Sequence, residues 1–173
     1  MVRRTVAFDI IGTTFSLEGL RPALVEAGAP PHVLELWFAQ TLRDYFGLSH
    51  AGGYVPLKDV LEASLRRILV TLELEAADES VDLVMGRLAE LEPSAGAREA
   101  FVALTDADAK VIALTNGSAG FTRGLLQRAG LDSYVAAVLS CDEVRVSKPH
   151  RRVYDYARGE AEGELWMIGR AHV

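Results

Sequence analysis

A single strand-like run, Thr5-Val6-Ala7-Phe8-Asp9-Ile10, opens the chain, and the next run of its kind does not arrive until Lys110-Val111-Ile112-Ala113-Leu114. The stretch between them carries helical spacing. Leu57, Val60, Leu61, Leu65, Ile68, Leu69 and Leu72 recur at steps of three and four, the stripe of an amphipathic helix, and Leu34, Phe38 and Leu42 repeat the pattern. Shorter helical stretches near 19–27 and 79–91 fill the rest, punctuated by Gly28-Ala29-Pro30-Pro31, Gly52-Gly53 and Pro93. From Ala97 onward helices alternate with short apolar strands, the later ones being Tyr134-Val135-Ala136-Ala137-Val138-Leu139 and Leu165-Trp166-Met167-Ile168. One strand, a long helical excursion and a return to alternation describe an α/β protein: a doubly wound parallel sheet with an inserted all-helical cap. The expected division is a core of residues 1–15 and 93–173 and a cap of residues 16–92.

Bulk properties narrow the class. Half of the 173 residues are apolar and 24% are charged, enough for a core and a subdomain. The net charge of −6 and the isolated pairs Arg3-Arg4, Arg66-Arg67 and Arg151-Arg152 argue against a nucleic-acid surface. Cys141 is the one cysteine, so no internal disulfide can form, and neither a signal peptide nor an apolar stretch of membrane-spanning length is present. The expected setting is the cytoplasm, with neither membrane nor nucleic acid as partner.

The chemistry starts at Asp9. It closes the first apolar run and is followed by Gly12-Thr13-Thr14, which must turn the backbone away. The first strand of such a chain is normally central and buried on both faces, and ligands of parallel sheets bind beyond the carboxyl ends of the strands. A carboxylate at that position needs a cation, hydrogen-bond donors or a chemical role. A capping or turn aspartate is the plainer alternative. The second strand also ends in polar groups, Thr115-Asn116-Gly117-Ser118, ahead of a helix from Phe121 to Ala129, which makes a ready anion site. After the third strand comes Ser147-Lys148-Pro149, whose lysine can reach the same crevice and pair with Asp9. Each piece alone suits an ordinary loop or turn; their order on successive strand ends carries the weight. The helical insertion, following directly on a strand that ends in Asp9, would lie above this crevice as a lid.

In that order the chain resembles the haloacid dehalogenase superfamily, and most closely its L-2-haloacid dehalogenase branch. The resemblance rests on Phe8-Asp9-Ile10-Ile11-Gly12-Thr13-Thr14, on Leu114-Thr115-Asn116-Gly117-Ser118, and on Ser140 to Pro149 leading into Arg152-Val153-Tyr154. It implies a Rossmann-like core. Asp9 then matches the nucleophile that displaces halide from the carbon beside a carboxylate, forming an ester that water cleaves. Thr13 matches a hydroxyl beside that carboxylate, Thr115 and Asn116 match groups that hold substrate and nucleophile, and Lys148 matches the invariant lysine. Tyr154 matches a tyrosine of the dehalogenase branch, with core packing as its alternative.

Ile11 separates the branches. Phosphatases of the superfamily carry a second aspartate at this place, two residues after the nucleophile, to protonate the leaving group and help hold magnesium. Isoleucine can do neither, whereas halide leaves as a stable anion without acid or metal. The resemblance therefore implies no cofactor and no metal, and a small anionic substrate whose site includes Ile11.

Two departures set the expectation of impaired turnover. The branch carries an arginine after a tryptophan on an early cap helix, to bind halide and substrate carboxylate; here Trp37 is followed by Phe38. Arg43 lies about one and a half turns further on and faces elsewhere. Arg170 is better placed to substitute, its plain reading being a solvated terminal residue. The second departure is the end of the chain at Val173, where the family continues with an aspartate that activates water. Either the sequence is a fragment or the protein covers its last strand by self-association, as a homodimer, and His172 stands near the place of the absent acid. The leading expectation is a 2-haloacid dehalogenase-like hydrolase acting on a small 2-substituted carboxylic acid. A non-catalytic binding protein of the same fold is the alternative, and a metal-dependent phosphatase comes third.

Overall fold

Four consecutive buried side chains, Thr5, Val6, Ala7 and Phe8, mark β1 (Arg4–Phe8) as a strand covered on both faces. In the computed structural model, which describes residues 4–74 and 78–169, β1 lies inside a parallel sheet with β2 (Lys110–Thr115), β3 (Ala137–Ser140) and β4 (Glu164–Ile168) in the order β3-β2-β1-β4. Ala7 is opposite Ile112 on one side and Met167 on the other, and Thr115 is opposite Ser140. The carboxyl ends of β1, β2 and β3 therefore lie side by side.

The first strand is shorter than its apolar pattern. Asp9 still donates its backbone N–H to the Ile168 carbonyl (2.8 Å), but the Asp9 carbonyl accepts from the N–H and hydroxyl of Thr14 instead of from a neighbouring strand. Ile10, fully buried, is thus a turn residue rather than the last strand residue. Its carbonyl accepts from Phe15 N–H at 2.9 Å, and Gly12 has φ of 83°, a conformation that favours glycine. Similarly, the third apolar run begins with a 3-10 turn (Asp132–Tyr134), and pairing as a strand starts only at Ala137. Burial, which apolar spacing reports, does not distinguish a strand from a tightly packed turn.

Residues 17–91 form one compact unit and the flanking segments another, the change falling after Ser16 and before Glu92. The helical unit contains α1 (Arg21–Glu26), α2 (Val33–His50), α3 (Leu57–Thr71) and α4 (Asp78–Arg87). On α3 the apolar stripe is buried as its spacing requires, from Leu57 to Leu69, but the helix stops at Thr71 and Leu72 serves as its cap. The seam between α2 and α3 also holds polar groups. Trp37 is fully buried and its indole N–H reaches both the Leu61 carbonyl and the Ser64 hydroxyl at 3.0 Å, while Thr41 and Ser64 hydroxyls lie 2.6 Å apart. Each buried donor is satisfied, as low-dielectric packing demands. Phe38, next to Trp37 on α2, is half-buried, and Arg43, exposed, pairs with Asp44 at 2.8 Å.

The sheet unit continues with α5 (Ala97–Asp106), α6 (Ala119–Arg128), the single turn α7 (Cys141–Val144) and α8 (Arg151–Gly159). Phe8 meets Phe101 of α5 edge-to-face, with ring centroids 4.7 Å apart, on one face of the sheet. Ala7, Ile112 and Leu114 point to the other face, where they cluster with Val153 and Ala157 of α8. Helices on both faces make the sheet doubly wound. Among the described residues no helix is long and apolar enough to cross a membrane.

Candidate functional site

Asp9 projects from the carboxyl end of β1 with its side chain 13% exposed, and three donors converge on it. Lys148 Nζ lies 2.6 Å from Oδ1, the Ile10 backbone N–H reaches the same oxygen at 2.9 Å, and the Thr13 hydroxyl donates to Oδ2 at 3.0 Å. A charge so far removed from solvent requires such partners. The turn that supplies Ile10 and Thr13 is itself tied down, because Ser94 donates its hydroxyl to the Thr13 carbonyl at 2.7 Å.

Lys148 is equally fixed. Its side chain is 10% exposed, and its ammonium donates to the Leu114 carbonyl at 2.7 Å as well as to Asp9. Its backbone N–H donates to Asn116 Oδ1 at 2.9 Å. The end of β2 and the loop after it are therefore each joined to Lys148. Thr115 is fully buried, and its hydroxyl oxygen accepts the Gly117 N–H at 3.0 Å, shaping that loop. Ser118 then caps α6, its hydroxyl accepting the Phe121 N–H.

Ile11 is buried, and its side chain ends against Gly117: a Cβ placed on Gly117 would stand 3.3 Å from Ile11 Cδ1. The position two residues after Asp9 is thus occupied by hydrocarbon. Tyr154 on α8 is half-buried against the cluster that contains Ala7 and Cys141. Burial pushes its phenol above the usual range, and the charge of Asp9 adds to that effect. Asp9, Thr13, Ile11, Thr115, Asn116, Lys148 and Tyr154 all belong to the sheet unit; Phe38 belongs to the helical unit. Arg170 and His172 lie outside the described residues.

Sequence reasoning missed two contributors, the Leu114 carbonyl and Cys141. Cys141 directly follows β3, and its buried thiol lies 3.2 Å from Asn116 Oδ1. A survey of every side chain at a strand end, and not only of the charged and hydroxyl ones, would have raised it. Burial pushes this thiol up to about 11, against the opposing charge of Lys148.

A family model for haloacid dehalogenase-like hydrolases matches residues 3–169. The chain belongs to that family. Among curated relatives, (S)-2-haloacid dehalogenase 2 of Pseudomonas sp. (strain CBS-3) is 25% identical over 158 residues, covering 89% of this chain and 68% of that protein. The (S)-2-haloacid dehalogenase of Xanthobacter autotrophicus is 28% identical over 153 residues, covering 87% of this chain and 60% of the relative. This member of the haloacid dehalogenase-like family thus spans 60 to 68% of the length of the curated relatives it matches. The solved L-2-haloacid dehalogenase from Xanthobacter autotrophicus superimposes with a TM-score of 0.85 at 27% identity, over 96% of this chain and 69% of the other. The same enzyme with chloropropionic acid covalently bound gives a TM-score of 0.84 at 25% identity, again over 96% of this chain and 69% of the other. The α/β fold expected from the sequence, with its parallel sheet and resemblance to the L-2-haloacid dehalogenase branch, is what these comparisons show.

Proposed function

We propose that the protein hydrolyses the carbon–halogen bond of a small 2-haloacid through an ester on Asp9. The observation that carries this reading is the constraint on Asp9. Oδ1 takes two donors, including a cation, while Oδ2 takes only the Thr13 hydroxyl among the described residues. Oδ2 is the oxygen with a lone pair to spend. It attacks C2 of the substrate, the C–O bond forms as the C–X bond breaks, and halide leaves with the bonding pair. Water then adds to the ester carbonyl of Asp9. The 2-hydroxy acid departs with the original aspartate oxygen, a proton goes to solvent, and the carboxylate is restored with one oxygen from water.

The surroundings support this sequence of steps. Lys148 and Thr13 hold the carboxylate in one orientation, so attack begins from an aligned state. Asn116 and Tyr154 flank the substrate, Thr115 shapes the loop that presents Asn116, and Ile11 supplies an apolar wall. Phe38, in the helical unit, follows Trp37 where the dehalogenase branch carries its halide-binding arginine, and it is read as a substrate-binding position. A magnesium site does not fit these residues. Ile11 has no ligand atom, and among the described residues no three His, Cys, Asp or Glu side chains gather closely enough to hold a metal ion.

Single turnover of 2-chloropropionate in heavy-oxygen water tests the reading. The expected product of the first turnover is unlabelled, with one heavy oxygen left in Asp9, and Asp9→Asn releases no halide while remaining folded. Label in the first product would mean direct attack by water. Absence of halide release together with magnesium-dependent phosphate release would replace the dehalogenase reading with a phosphatase.

A further inference from the structure

We propose that Cys141 is a positioning residue, its thiol proton locking the carboxamide of Asn116 with the oxygen turned toward β3 and the nitrogen turned away from it. The inference rests on the reading of Asn116 as a substrate-binding group.

An asparagine carboxamide turns easily about its last torsion, and its two ends differ only in donor and acceptor character. Neighbours must choose which end points where. At Asn116 the choice is determined by the Lys148 backbone N–H, 2.9 Å away, because a backbone N–H can only donate and must face the oxygen. One such bond leaves rotation about its own axis. A second donor at a different angle removes that freedom, and Cys141 Sγ, 3.2 Å from the same oxygen, is that donor.

The thiol is suited to the part. Cys141 is fully buried among Ala7, Leu139 and Val153, with no exposure to oxidants or competing water. Its raised pKa, about 11, keeps the proton on sulfur at neutral pH. A thiolate would repel the oxygen it now holds. The residue before it acts on the same loop: the Ser140 hydroxyl donates to the Gly117 carbonyl at 2.8 Å and accepts from Asp142 N–H at 3.1 Å. Two successive residues at the end of β3 thus hold two successive residues at the end of β2. Plain core packing is the competing role for Cys141, and it predicts no dependence on Asn116.

Four variants separate the two roles: Cys141→Val, Cys141→Ser, Asn116→Ala and the Cys141→Val/Asn116→Ala pair. Losing one neutral hydrogen bond that only orients a binding group should raise KM for 2-chloropropionate about five-fold in Cys141→Val, with kcat nearly unchanged. Cys141→Ser, which keeps a donor, should recover the original KM. In the Asn116→Ala background the valine substitution should add nothing. A second measurement needs no turnover: with one cysteine in the chain, the S–H stretching band in the Raman spectrum reports Cys141 alone. It should move to higher frequency in folded Asn116→Ala. An unmoved band overturns the proposal, as does an unchanged KM in folded Cys141→Val or an equal effect of Cys141→Val with and without Asn116. If the wild-type protein releases no halide, the dehalogenase reading fails, while the Raman band still decides whether Cys141 holds Asn116.

Discussion

Lys148 Nζ stands 2.6 Å from Asp9 Oδ1, a contact between residues 139 positions apart with little solvent access on either side. Both strand ends depend on it, because the same ammonium also holds the Leu114 carbonyl at the end of β2. Removing the cation leaves a buried carboxylate with an uncompensated charge.

Lys148→Met should therefore lower stability by about 3 kcal/mol at neutral pH, the usual scale for breaking one side of a buried pair. Urea unfolding measures it. Asp9→Asn/Lys148→Met should lose less than the sum of the two single changes, since the second substitution removes the charge that the first left unpaired. Additive losses would mean that the two groups do not interact in solution.

Gly117 and Ile11 should couple as well. A methyl on Gly117 would meet Ile11 Cδ1 at 3.3 Å, tighter than comfortable packing, and the Thr115 hydroxyl oxygen at 3.4 Å, an ordinary contact. Gly117→Ala is expected to cost about 1 kcal/mol, the low end of overpacking, because the isoleucine tip can give way. In an Ile11→Val background the cost should fall toward zero. Thermal or urea denaturation of the four proteins checks the cycle.

Under the proposed mechanism, turnover needs no divalent metal. Excess EDTA should leave halide release unchanged, because Ile11 cannot contribute a ligand and halide requires no acid to leave. Loss of activity on chelation, restored by magnesium, would contradict this.

Phe38→Arg should raise halide release from 2-haloacids, because it restores the arginine that the resemblance to the dehalogenase branch implies after Trp37. A guanidinium near the departing halide is most effective where water is scarce, and a gain of about ten-fold in kcat/KM corresponds to about 1.4 kcal/mol of transition-state stabilisation. Phe38 is half-buried, so the fold must be monitored alongside by circular dichroism. A folded variant with unchanged kinetics would place Phe38 away from the leaving group.

Much of the molecule is legible in its residues. The switch from a strand-like run to helical spacing and back is written in the period of the apolar side chains, which local backbone geometry alone dictates. The α3 stripe is buried from Leu57 to Leu69, and the three polar strand ends at Asp9, Thr115-Asn116 and Lys148 meet. A parallel sheet brings its carboxyl ends to one edge whatever the loops between them, so their meeting follows from strand order.

Other features were settled only by the tertiary structure. Ile10 carries the apolar signature of a strand but closes a turn, because the Asp9 carbonyl finds its partners in Thr14 and not in a neighbouring strand. Which Asp9 oxygen takes the lysine, which end of Asn116 faces β3, and the contact of the Cys141 thiol with that end depend on ångström-scale register between segments far apart in sequence. Apolar periodicity specifies which side of an element is buried. It carries no information about which polar atom meets which across the gap between two loops, and that is decided only when the strands are in register and every buried donor must find an acceptor.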